Sequence, residues 1–127
     1  MNVNSPDLPL LLLDNSNMIS VLNEGEFRCH NLTFEEARAI LETLDVDSIL
    51  RCFSNKDLEN VIFDYLGVAR KEYRYKSIRN MRVGQDALVF KLYVTPSETQ
   101  PVIHVDGVEA KKIWNTYVYC QLLSREK

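Results

Sequence analysis

Glycine is scarce in this sequence: Gly25, Gly67, Gly84 and Gly107 stand far apart, which excludes a Gly-rich phosphate loop and a Gly-flanked nucleophilic serine. Imidazole is scarcer still. With only His30 and His104 and no paired Cys/His spacing, neither a metal centre nor any other cofactor is expected. Cys29, Cys52 and Cys120 are odd in number and widely spaced among apolar or aromatic neighbours, so they read as buried thiols, not a disulfide frame. The apolar run at residues 10–13 is far shorter than the roughly 18–20 residues of a membrane-spanning helix. The opening "MNVNSPDLP" has no basic-then-apolar export pattern. A cytoplasmic protein without a membrane partner is expected.

Excess positive charge is missing too. A net charge of -3 argues against a general nucleic-acid binder, but the distribution is uneven. Residues 70–82, "RKEYRYKSIRNMR", hold six basic side chains against the single acid Glu72, leaving nine basic and seventeen acidic residues elsewhere. Such a strip attracts phosphate at short range while long-range steering stays weak, which suits a small anionic ligand better than a long duplex.

The 127 residues, 46% of them apolar, suffice for one domain spanning 1–127. "LPLLLLDNSN" is a continuous apolar run ending in turn formers, the pattern of a buried strand. "EGEFRCHN" alternates as a second strand, expected to return beside the first. Thr33 and Glu36 have capping-box spacing, and Phe34, Ala37, Ile40, Leu41 and Leu44 form one helical stripe. "VDSILRCF" fits either a connector or a brief strand. A second helix carries Leu58, Val61, Ile62, Tyr65 and Leu66, with Ser54 as the expected N-cap and Gly67 as the stop. "YRYKSIRNMRV" and "ALVFKLYV" flank the turn signal "GQD" and predict an antiparallel hairpin. "TPSETQP" reads as a polar loop, "GVEAKKIW" as one or two helical turns, and "TYVYCQLL" as the last strand.

This order resembles the viral ring nucleases, the type III anti-CRISPR family of small archaeal-virus, phage and mobile-element proteins. The residues that carry the resemblance are "LLLLDNSNM", "NEGEFRCHNLTFEEARAIL", "DYLGV" and "GQDALVFKL". It implies an α+β fold: a mixed, mainly antiparallel sheet with two main helices, assembled as a symmetric homodimer whose cavity binds a cyclic oligoadenylate. It also implies metal-independent cleavage, in which the ligand's 2'-hydroxyl attacks the adjacent phosphate. A His at the start of the second helix protonates the leaving oxygen, and an Arg and a Glu in the loop after the hairpin assist. Anchoring on Leu-Gly-Val places Asn55 at the His position, and loop alignment places Thr95 at the Arg and Glu98 at the Glu position. An amide supplies no proton at neutral pH. A divergent member that binds its ligand better than it cuts it is therefore expected.

The candidate ligand residues are Asn15, Ser16, Ser54, Asn55, Lys56, Arg79, Thr95 and Glu98. Ser54, Asn55 and Lys56 sit where free N–H groups and the helix dipole favour an anion; a plain cap with a solvated lysine is the competing reading. Asn15 and Ser16 lie at the first strand's exit, which contacts ligand in the family, although a self-satisfied turn reads equally well. In the basic strip, Arg forks can hold phosphates while Tyr73 and Tyr75 stack on bases, or the tyrosines can pack in a core. His104 and Glu98 are the residual catalytic candidates, His104 without a visible partner and Glu98 equally read as a solvated loop residue. Three rivals remain: an active ring nuclease with a substituted acid, a protein-interaction module built on Trp114, Tyr117 and Tyr119, and a nucleic-acid accessory using the strip.

Overall fold

The computed structural model describes residues 8–15, 18, 22, 25–68, 73–93, 101–105, 108–113 and 116–127. The fold is α+β. Strand β1 (Leu10–Asp14) lies between two parallel partners, β3 (Ile49–Arg51) and β5 (Asp86–Tyr93). This explains its unbroken leucines: Leu10 and Leu12 pack toward the helices while Leu11 and Leu13 pack beneath the sheet, so neither face tolerates a polar residue. The continuous strand path is β4-β3-β1-β5-β8-β7-β6, and β2 joins it by pairing with β8.

Strand β2 (Phe27–Leu32) does not return beside β1, contrary to the sequence expectation, because both edges of β1 are taken. It pairs instead with β8 (Thr116–Arg125), along residues 120–125. The same edge of β8 gives residues 116–118 to β7 (Val108–Ile113). One long strand thus serves two shorter ones.

Helix α1 (Phe34–Thr43) begins with the expected capping box, Glu36 N–H donating to Thr33 Oγ1 at 3.0 Å and Thr33 N–H to Glu36 Oε1 at 2.9 Å. A 3₁₀ turn (Val46–Ser48) leads into β3, so "VDSILRCF" contains a brief strand. Helix α2 (Lys56–Leu66) stops at Gly67, whose φ of 71° is the left-handed conformation that an L side chain resists. Both helices cover one face of the sheet, burying Phe34, Ala37, Leu41, Leu58, Ile62 and Leu66.

The hairpin expected across "GQD" does not form. Strand β4 (Arg74–Tyr75) is two residues long and pairs parallel with β3, while β5 runs parallel to β1 and antiparallel to β8, leaving no edge for a hairpin partner. Residues 76–85 cross beneath the sheet, placing Ile78 and Met81 against Leu11, Leu13, Leu50 and Val89. "GVEAKKIW" is not helical either: Val108–Ile113 is strand β7, paired with β6 (Val102–Val105), because Ala110 at alternate spacing packs inward on Tyr117. The loop "TPSETQP" lies outside the described residues up to Pro101. Among the described residues four of the seven strand pairings are antiparallel, and no helix is long and apolar enough to cross a membrane.

Cys52 and Cys120 are buried as expected, and burial pushes the Cys52 thiol up to about 12 and Cys120 higher still. Cys29 is exposed, because the outer edge of β2 is solvated. Asp86 is the costlier burial. Only 2% of it is exposed; Oδ1 accepts the Ser124 hydroxyl at 2.6 Å, and Oδ2 has no hydrogen bond among the described residues. Burial therefore holds this carboxyl above the ordinary range, the Ser124 bond opposing. A raised folded-state pKa means that the group's contribution is complete below its unfolded pKa and is lost as pH rises through the folded value. Asp86→Asn cannot ionise, so its stability relative to the parent should rise between about pH 4 and about pH 8. Urea midpoints at both values measure this, and a pH-independent difference would refute it.

Candidate functional site

After β1 the chain makes β2 beside β8, then lays β3 and β4 on one side of β1 and later β5 on the other, so the carboxyl ends of β1 and β5 lie where the parallel strand order changes direction, a topological switch point. Before the switch, α1 and α2 cover one face; after it, residues 76–85 cover the other. Open parallel sheets leave a crevice at such a place, outside the strand ends. Asn15 stands there, its Oδ1 accepting the Leu92 N–H at 3.2 Å and tying the exit of β1 to that of β5.

The start of α2 faces the same edge, and its anion is internal. Asp14, 2% exposed, accepts the Ser54 N–H at 2.9 Å and the Asn55 N–H at 3.1 Å on Oδ2, while the Ser54 hydroxyl lies 3.0 Å from Oδ2 and 3.2 Å from Oδ1. A buried carboxylate needs such donors, and the helix dipole adds to them. Ser54 is consequently not the N-cap. Asn55 is, its Oδ1 accepting the Leu58 N–H at 3.0 Å. The Ser54 and Asn55 amide N–H groups expected to meet a ligand phosphate meet Asp14. Lys56 is exposed at the same end.

No protein-family model and no curated protein matches the chain.

Asn15, Ser54, Asn55 and Lys56 thus come together at one edge. Ser16, Thr95 and Glu98 lie outside the described residues, as does Trp114. Arg79 is exposed on the segment beneath the sheet, on the face away from α2. His104 is 72% exposed on β6, four strands from β1 in the sheet order, with Nε2 3.6 Å from Glu109 Oε2. Glu109 is anchored in turn by the Phe34 N–H, 3.0 Å from Oε1. His30 is exposed on β2. Tyr73 is buried against Phe63 at 5.9 Å between ring centroids, which removes it as a stacking platform. Tyr75 is 51% exposed, with the Arg51 guanidinium 5.7 Å from its ring centre. Tyr117 is buried, so an aromatic docking surface loses a member. Among the described residues no cluster of His, Cys, Asp or Glu is arranged to hold a metal ion.

Two acids escape sequence reasoning. Glu59 is 2% exposed and pairs with Arg51 at 2.9 Å, while Arg51 Nε donates to the Tyr73 carbonyl at 2.9 Å. Its signal is positional: three residues before Ile62 and seven before Leu66, it falls on the buried stripe. Asp14 could be suspected because it directly follows an unbroken buried run.

The Asp14 contacts should carry measurable stability. Asp14→Asn is expected to lower the unfolding free energy by about 2–3 kcal/mol, since a charge-assisted set of bonds and a helix-end interaction are lost. Ser54→Ala, which keeps the N–H contact, should cost only about 1 kcal/mol. Urea denaturation decides it; equal losses in both variants would contradict the central role of the charge.

Proposed function

We propose that this chain binds a cyclic oligonucleotide second messenger of the cyclic oligoadenylate type at the carboxyl edge of β1 and β5, and blunts host defence by holding the ligand more than by cutting it. The reading rests on its resemblance to the viral ring nucleases and carries with it a viral or mobile-element origin and a symmetric homodimer. A two-fold pair would present each edge group twice to a ring of repeated units. The observation that carries the binding-over-cleavage half is Asn55. Its amide caps α2 through Leu58 N–H, a structural task, at the position where the resemblance calls for a proton donor. A well-placed general acid is worth roughly a hundredfold to ten-thousandfold in rate, so its replacement spares binding more than turnover.

Lys56 and Asn15 supply a cation and an amide at the edge, while Asp14 is screened from a ligand phosphate by the donors around it. Any ring would therefore be held by side chains, not by the Ser54 and Asn55 amide groups.

Titration calorimetry with cyclic tetra-adenylate, with chromatography of the same mixture and light scattering of the protein alone, tests the proposal. Expected are a dimer, saturable heat at one ring per dimer, and a ring recovered intact. Absence of heat with every cyclic oligonucleotide tried would overturn it; rapid appearance of linear fragments would make the protein a nuclease. Asn55→His should raise any residual cleavage by at least roughly a hundredfold, at a capping cost near 1 kcal/mol.

A further inference from the structure

A second concavity lies away from that edge. It occupies the sheet face opposite the helices and opens toward the amino ends of β1 and β5, where Pro9 and Gln85 stand. Strand β1 alone separates the two edges by about 16 Å at the rise of an extended chain. The cavity measures about 460 Å³, a volume within the range of small-molecule sites.

Its lining combines two chemistries. Leu50 and Ile78 give the lining an apolar part, and Arg74, Lys76 and Arg82 give it a basic one, with no carboxylate among the described lining residues. Three cations gather here on a chain whose net charge is -3, so the cluster does not follow from composition.

The walls are fixed although residues 76–85 have no regular structure. Lys76 N–H donates to the Arg51 carbonyl at 2.9 Å, Arg82 N–H to Gln85 Oε1 at 2.9 Å, and Gln85 Nε2 to the Pro9 carbonyl at 2.9 Å. Met81, fully buried, pins the segment from below. Arg74 reaches the Asp47 carbonyl at 3.2 Å through one Nη2 donor, which leaves the rest of its five-donor fork for other partners. A pre-formed site loses little entropy on binding.

We propose that this cavity is a site for a nucleoside polyphosphate, the base lying on Leu50 and Ile78 and the phosphates held by Arg74 and Lys76. A planar, weakly polar base suits an apolar lining of this size, and guanidinium forks match phosphate oxygens. The concave shape favours a small ligand over a polymer backbone, which would follow an open groove. The site is independent of the carboxyl edge and of whatever binds there.

Calorimetry with ATP, pyrophosphate, adenosine and a single-stranded oligonucleotide tests it, using the parent, Lys76→Glu, Arg74→Ala and Lys56→Ala. The exposed Lys76 can be changed without disturbing the core, and circular dichroism checks that each variant is folded. ATP should bind in a salt-sensitive manner, pyrophosphate more weakly, and adenosine weakest. Lys76→Glu and Arg74→Ala should each weaken ATP roughly tenfold or more, while Lys56→Ala leaves it unchanged. Heat with cyclic tetra-adenylate should survive Lys76→Glu, which separates this site from the carboxyl edge. No heat with ATP, equal affinity in Lys76→Glu and parent, or affinity that climbs with oligonucleotide length would each overturn the proposal.

Discussion

A single buried charge organises the carboxyl edge of this protein. Asp14 ends the central strand, and an ionised carboxylate so enclosed is stable only where donors converge on it. The Ser54 and Asn55 N–H groups and the Ser54 hydroxyl provide them. The strand end, the turn after β3 and the first turn of α2 therefore hold one another in place. Asn15, the next residue, extends the arrangement to β5 through the Leu92 N–H. Every candidate ligand residue described at this edge owes its position to that charge.

Placing β1 between two parallel neighbours imposes a second demand. Its leucines point both ways, and α1 and α2 cover only one face. The other is closed by residues 76–85, which lack regular structure and so must be clasped by individual bonds: the Gln85 side chain to Pro9 and Arg82, and the Arg125 guanidinium to the Met81 carbonyl. Ile78 and Met81 turn inward, and Arg79 and Asn80 between them turn outward. The basic character of the strip is the solvent side of a segment whose first task is to cover leucines.

Features set by neighbouring residues were legible in the sequence, and features set by distant ones were not. The Thr33–Glu36 box, the stripes of both helices and the stop at Gly67 depend on spacings of three or four residues, and the structure has them. The α+β class and the mixed sheet, implied by the resemblance, are also present. Strand partners did not, because the pairing of β2 with β8 joins residues about ninety positions apart, as the bond between Gln121 and Asn31 shows. The hairpin failed for the same reason: "GQD" does mark a turn at Gly84, but competition for the edges of β5 was settled by β1 and β8. At the site, the anion-loving start of α2 was legible from Ser54 and Asn55; that its anion comes from forty residues earlier in the chain was not.

Three acids, Asp14, Glu59 and Asp86, are each 2% exposed, and their different settings change what the net charge means. Asp14 faces the donors of a helix end, Glu59 faces Arg51, and Asp86 has one hydroxyl. Charges neutralised by close partners in the interior contribute little to the potential outside, whereas Arg74 and Lys76 are exposed. A composition that counts all charges equally makes the molecule acidic; a ligand approaching the face opposite the helices meets Arg74 and Lys76 in the lining of one cavity. Screening of the more distant surface acids then leaves the nearby cationic side chains to weigh most in the local field, so a chain of net charge -3 can still present a phosphate-attracting cavity.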